Sequence, residues 1–231
     1  NIGIRDLLPI DWKYAAWIDG DIEFLKEDWA EETIHQLQHN QLVQLFSDAI
    51  DLGPDGQTIG IHKSFCHQYI NGATRPKTKN DPYAFWHPGY AWAIRRAAWE
   101  NVGGLIDWAI LGAADHHMAL ASIGAAEDSV PSAIHPNYYA GVMDWQVRAE
   151  RFIKRDIGYV PGTVAHHWHG KKTDRKYQER WSVLTRHKFD PMDDIVKDET
   201  GLYYLDTKKI GLRDDIRAYF RGRNEDSIDL V

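Results

Sequence analysis

Apolar and polar positions along the chain follow two periods, near two and near 3.6 residues, and their succession predicts alternating strands and helices. Residues 12–18 (WKYAAWI) are aromatic and apolar over the length of a strand and stop abruptly at Asp19-Gly20-Asp21. Acids are therefore expected at the carboxyl end of a buried strand. At or near Asp28 a helix opens and runs through 29–38, with Trp29, Ile34 and Leu37 roughly on one face. Residues 42–46 follow as a second short strand, so the order begins β-α-β.

Residues 48–88 are rich in Gly, Pro, Asn and Lys, with turn signals at Gly53-Pro54-Asp55-Gly56 and Asn80-Asp81-Pro82, and read as a hairpin and a long loop. The periodic pattern then returns. It predicts a strand over 90–94, a short helix over 95–102 stopped by Gly103-Gly104, and a second helix over 113–123 that begins at or near Asp115. A longer helix is expected over 138–155, strand segments at Tyr159-Val160 and 164–169, and a last amphipathic helix over 173–188. Beyond about Phe189 the chain is charged and irregular in pattern, as an appendage or interaction tail would be. No repeat or low-complexity stretch interrupts this order. The expected architecture is α/β, with a main domain over 1–188 and a C-terminal appendage over 189–231.

Composition narrows the function classes. The 231 residues carry 27 Lys+Arg against 34 Asp+Glu, a net charge of -7, which excludes attachment to nucleic acid or an anionic membrane by bulk charge. A single cysteine, Cys66, excludes an internal disulfide framework and a cysteine-only zinc site. No apolar run approaches the roughly 18 residues of a membrane span, and residues 1–8 lack a signal-peptide pattern, so a soluble, cytoplasmic protein is expected. The chain begins without Met inside a helix-like stretch, as if the numbering starts within a longer protein. Ten Trp and 12 His are unusual. Flat apolar faces with a polar handle suit sugar rings and bases, although large rings also dominate ordinary cores.

Three clusters can carry chemistry. In Asp19-Gly20-Asp21, two carboxylates one glycine apart at a strand end can converge on a divalent cation, or can form a solvated turn. An EF-hand fits Asp19, Asp21 and Glu23 but requires Gly and Glu where Phe24 and Ala30 stand, and so it fails. In Val164-Ala165-His166-His167-Trp168-His169-Gly170, an extended chain puts His167 and His169 on one face and His166 with Trp168 on the other. His167 and His169 can then share a metal. Mn²⁺ or Mg²⁺ suits a set dominated by oxygens, Zn²⁺ one in which both imidazoles bind. Third, Asp115 lies where a helix starts, where its anionic form is favoured by about 0.3–1 kcal/mol. An ionised Asp facing a cleft is a candidate general base, and the competing reading is an ordinary N-cap.

Together with Pro88-Gly89-Tyr90-Ala91-Trp92-Ala93-Ile94 and Val102-Gly103-Gly104-Leu105, these blocks resemble the GT-A glycosyltransferases. The nearest likeness is to the catalytic half of β-1,4-galactosyltransferase-like enzymes and their family-2 relatives, over roughly residues 10–180. The resemblance implies a GT-A-like mixed sheet flanked by helices. It also implies a nucleotide-sugar donor, a UDP-sugar foremost, and a carbohydrate or other hydroxyl acceptor. It maps the Asp-x-Asp that binds Mn²⁺ (or Mg²⁺) and diphosphate onto Asp19 and Asp21, the late ligands onto His167 and His169, and the general base onto Asp115. Gly89 and Arg175 fall on the donor side, and Trp108, Gly112 and Tyr90 on the acceptor side. Arg175 belongs to the mixed-charge run 171–180 (KKTDRKYQER), which with Arg180 can contact phosphates or simply form a solvated helix face.

Two departures stand against the likeness. The family often has Glu before the base, where this chain has Ala114. Residues 1–11 are also too few to supply the family's first nucleotide-binding unit, so either that unit lies upstream of this sequence or the donor is held differently. Two other classes compete. Asp115-His116-His117 resembles the Asp-His-His phosphoesterases, which release phosphate without a sugar nucleotide. A non-catalytic carbohydrate-binding module would use the Trp residues and show no donor hydrolysis.

Overall fold

The computed structural model describes residues 1–75 and 86–225. The turn signal at Asn80-Asp81-Pro82 and the last six residues lie outside them. In chain order the elements are β1 (Tyr14–Ile18), β2 (Ile22–Phe24), α1 (Trp29–His39), β3 (Leu42–Gln44), β4 (Asp48–Leu52), β5 (Thr58–Lys63), α2 (Phe65–Ile70), β6 (Ala91–Arg95), α3 (Arg96–Val102) and α4 (Ala114–Ser122). They continue with α5 (Pro136–Phe152), β7 (Ile157–Tyr159), β8 (Thr163–His166), α6 (Glu179–Arg186), β9 (Ile195–Lys197), β10 (Tyr203–Leu205) and α7 (Ile210–Arg221). The architecture is α/β, with mixed sheets flanked by helices. No helix among the described residues is long and apolar enough to cross a membrane.

The first sheet has the order β1-β6-β3-β7, with β6 antiparallel to both β1 and β3 and β7 parallel to β3. Both faces of the central strands β3 and β6 are buried, which explains the near-continuous apolar run of β6. Leu42, Trp92 and Ile94 face the helices, while Val43, Ala91 and Ala93 face a second core shared with Leu37, Phe46 and Val164. The alternation of large and small residues follows the strand period of two. The small alanines lie on the side where the other sheet approaches. That second sheet has the order β2-β8-β4-β5.

The β1–β2 connection is Asp19-Gly20-Asp21, so the acidic turn carries the chain from one sheet to the other. In the second sheet His166 of β8 lies opposite Ile22 of β2 on one side and Asp51 of β4 on the other. This register brings residues over a hundred positions apart to one point. Gln44, fully buried on β3, donates to the carbonyls of His87 (2.9 Å) and Gly89 (3.2 Å) and accepts from the Cys66 amide (3.1 Å), fixing the chain before β6.

Several expectations are corrected. Strand β1 is shorter than 12–18, the long helix is shifted to 136–152, and the region read as loop contains α2, capped by Ser64 Oγ accepting from the His67 amide at 3.2 Å. The strand expected over 164–169 ends at His166. The helix expected over 173–188 is broken: a short turn at Lys172–Arg175 ends at Lys176, in the left-handed region with φ 51°, and α6 begins three residues later. The run KKTDRKYQER has no apolar stripe to hold it on a core, so nothing opposes the break. The segment beyond Phe189 forms β9, β10 and α7. Its Phe189, Ile195, Leu212, Ile216 and Tyr219 lie in the same hydrophobic cluster as Trp92, Trp145 and Leu184.

Candidate metal centre and the carboxylate facing it

Asp21, His166 and His169 offer donor atoms that all lie within 4.8 Å of one another. Asp21 Oδ2 is 3.0 Å from His169 Nε2 and 3.5 Å from His166 Nε2, and the two Nε2 atoms are 2.9 Å apart. Asp21 Oδ1 is buried and has no hydrogen-bond partner among the described residues. A buried carboxylate oxygen left unpaired is costly, and one carboxylate plus two imidazoles is a sound ligand set for a borderline divalent cation. The residues therefore fit a metal. Two nitrogen donors suit Mn²⁺ or Zn²⁺ better than Mg²⁺, which prefers oxygen.

Behind the trio stands Asp51, a residue missed in the sequence. Its carboxylate is 2% exposed and takes the Tyr90 hydroxyl at 2.8 Å, His166 Nδ1 at 3.0 Å and His62 Nε2 at 2.5 Å. With Nδ1–H of His166 donating to Asp51, Nε2 is left to face the cluster; such outer carboxylates orient metal-binding imidazoles. The signal was present in β4, DAIDL, where Ala49 and Asp51 share the inward side. An acid at an inward strand position needs a partner.

The electrostatics agree with this geometry. The His166 hydrogen bond holds Asp21 below the usual carboxylate range. Burial works against a charged His166, but the hydrogen bonds and charges of Asp21 and Asp51 outweigh it and its pKa is raised. Burial lowers that of His169, and the adjacent Arg175 lowers it further. Arg175 donates to His169 Nε2.

The other expected residues fall in three places. His167 leaves the cluster: the chain turns after β8, so the period of two no longer applies, and its Nε2 pairs with Glu23 at 3.1 Å on the exposed surface. His166, assigned to the opposite face with Trp168, takes its position. Asp19 lies beside the trio and outside it, its amide bonded to the Tyr90 carbonyl at 2.8 Å. It keeps an exposed face, yet desolvation by the surrounding protein pushes its pKa up to about 6, with the charges of Asp21 and Asp115 adding to the shift. Asp115 thus stands close enough to Asp19 for the two carboxylates to repel. It lies in the first turn of α4, where Oδ1 accepts from the His116 amide at 2.8 Å.

Gly89 packs under Asp115: a Cβ there would meet Asp115 Oδ2 at 3.2 Å. Tyr90, with φ 80°, buries its ring between His87 and His166, at centroid distances of 4.0 and 4.6 Å, and so packs behind the candidate ligand His166. Gly112 lies against Arg180. Trp108 stands apart from the carboxylates, edge-on to Tyr138 at 4.8 Å and close enough to Gly141 that a Cβ there would lie 2.8 Å from its ring. A narrow space beneath Asp115 is lined by Trp17, Trp92, Trp99 and Trp145, but its volume is about 10 Å³, room for one water and not a sugar. Trp92, Trp99 and Trp145 are core, and the partly buried Trp17 packs against them.

His117 does not join Asp115 in facing a metal. Its ring is fully buried between Ser129 Oγ (2.7 Å) and the Tyr138 hydroxyl (2.9 Å). No protein-family model, no curated protein and no solved structure matches this chain.

Proposed function

We propose that this chain is the catalytic part of a GT-A-type, metal-dependent glycosyltransferase that moves a sugar from a nucleoside-diphosphate sugar to an acceptor hydroxyl, with inversion. One observation carries the reading: Asp21, His166 and His169 meet at one point, with Asp19 beside them and Asp115 next to Asp19. Asp21, His166 and His169 would hold a divalent cation, Mn²⁺ foremost. Such an ion, when bound, supplies positive charge against the departing diphosphate.

The protein's own groups do the rest. Asp51 and Tyr90 lock His166 in the tautomer that faces the cluster. Arg175, once it leaves His169 Nε2, has a guanidinium free to pair with a phosphate oxygen on the same side. Asp115 accepts the proton of the acceptor hydroxyl as the new bond forms. Its position over Gly89 allows the carboxylate to approach the backbone without a side chain between. The separation of His117 from the cluster weighs against the Asp-His-His phosphoesterase reading.

The test is a set of sugar nucleotides screened for stabilisation of the chain with and without Mn²⁺. A donor at ~100 times its Kd adds ~2.7 kcal/mol, so a clear Mn²⁺-dependent rise in Tm is expected for one nucleotide class. Asp115→Asn should keep that rise while transfer falls by ~10²–10⁴-fold, the usual worth of general-base help. Near-wild-type turnover in Asp115→Asn would remove Asp115 from the mechanism, and a flat response to every sugar nucleotide would remove the donor.

A further inference from the structure

Arg180 is unusual in a chain where 34 acids outnumber 27 bases: among the described residues no carboxylate pairs with it. Its guanidinium lies over the rings of Tyr177 and Trp181, at 5.2 and 5.5 Å from their centroids, and its Nε is buried without a hydrogen-bond partner. Nη1 is directed at the loop before α4, 3.1 Å from where a Cβ on Gly112 would lie. Arg75 approaches the same region. One end of its guanidinium pairs with Asp128, while Nη1 is buried and has no hydrogen-bond partner among the described residues.

Both charges bear on His116, next to Asp115, where they help burial keep the ring neutral. The basic group that bears on His169, at the metal centre, is instead Arg175. Holding guanidinium N–H groups without acceptors is costly, and a forked donor left open beside a candidate base matches a planar or tetrahedral oxyanion.

We propose that the acceptor is itself an anion, a hydroxyl compound carrying a phosphate or carboxylate group that Arg180 and Arg75 hold beside Asp115. This rests on the transferase reading and adds the acceptor's chemical class to it. Arg180 provides the fork and the aromatic rings beneath keep it in place. Arg75, shared with Asp128, adds the second charge.

The experiment titrates the full chain with inorganic phosphate, and in a parallel arm with acetate, by calorimetry in the absence of metal. Saturable binding is expected, with the tighter of the two ions identifying the charged group. Arg180→Gln should weaken it by about tenfold or more and Arg75→Gln by several-fold, as loss of a charge-assisted pair does. Arg180→Lys, which keeps the charge and most of the stem, should fall between Arg180→Gln and wild type and guards against a folding artefact. Arg5→Gln, which removes an exposed charge paired with Asp6 away from the site, should leave phosphate binding within about twofold. No saturable binding in the wild type, unchanged binding in Arg180→Gln, or an equal loss in Arg5→Gln would each overturn the proposal. Mn²⁺ binding, measured separately in phosphate-free buffer, tests the metal centre. Its absence would sink the transferase reading, whereas intact Mn²⁺ binding with no anion binding would sink the anionic acceptor alone.

Discussion

At the scale of single residues, three neighbouring imidazoles have three different environments. His166 is 7% exposed and bonded to a buried carboxylate, His169 meets Asp21 and Arg175, and His167 pairs with Glu23 at the surface. An exposed contact of that kind is worth at most about 0–1 kcal/mol. His167→Gln should therefore leave Mn²⁺ affinity within about twofold, whereas His169→Gln should lower it by ~10-fold or more, since a ligand matters at least as much as the outer partners that orient it. Calorimetric titration with Mn²⁺ checks the pair, and equal losses would put His167 back into the metal centre. Asp51 extends the same logic one bond outward. Asp51→Asn removes the charge that fixes the His166 tautomer and should reduce Mn²⁺ affinity ~10–100-fold while touching no ligand. An unchanged affinity would mean that Tyr90 and the backbone orient His166 unaided.

At the scale of elements, the packing of α4 on α5 depends on a polar contact inside an apolar layer. His117 on α4 bonds Tyr138 on α5 and Ser129 between them, and burial holds its pKa well below the ordinary value of 6.5. The unfolded chain therefore takes up a proton near pH 6.5 that the folded chain refuses. Stability contributed by neutral His117 is complete above that pH and declines as the pH falls towards the folded pKa. Between pH 7.5 and 5.5 the contribution of this group therefore falls. Urea unfolding should show a shallower decline in His117→Gln than in the wild type; an identical decline in the variant would show that other groups carry it.

Elements of this kind were legible in the sequence where one periodic stripe meets one core. Strand β6 and helices α1, α3, α4 and α5 were recognisable because Trp92, Leu37, Trp99, Leu120 and Trp145 recur at strand or helix spacing. The Asp-x-Asp turn, Asp115 and a late histidine pair were legible from residue type and position. Which histidines converge was not, because the end of β8 is set by pairing with β2 and β4, a register between segments over a hundred residues apart. Asp51 was hidden for the same reason. Its partners Tyr90 and His166 are remote in the chain, and only the closed second sheet brings them to it. Helix α2 was missed in a stretch where turn residues dominate and the helix is one capped turn and a half.

At the scale of the whole molecule, the last segment supports both the core and the Asp21, His166 and His169 cluster. Phe189, Ile195, Leu212, Ile216 and Tyr219 are buried in the main cluster. At about 1.5–3 kcal/mol for each large side chain, this group matches the roughly 5–15 kcal/mol that holds an ordinary domain folded. The same segment also reaches the chain on either side of His169. Tyr219 donates to the Arg175 carbonyl at 3.1 Å, and Gly170, directly after His169, has φ 89° and lies so close to the chain at Asn224 that a Cβ would be 2.6 Å from the Asn224 carbonyl oxygen. A chain ended after Lys188 should therefore lose its cooperative thermal transition. Gly170→Ala is the milder variant: an alanine at that φ is strained, and its methyl must displace backbone rather than a flexible side chain. It should still melt cooperatively, at a lower Tm, and bind Mn²⁺ more weakly because His169 shifts with its neighbour. A chain ended at 188 that melts as sharply as the full one would make residues 189–225 a dispensable appendage. A Gly170→Ala protein with wild-type Mn²⁺ affinity would separate the support of the core from the support of the ligands.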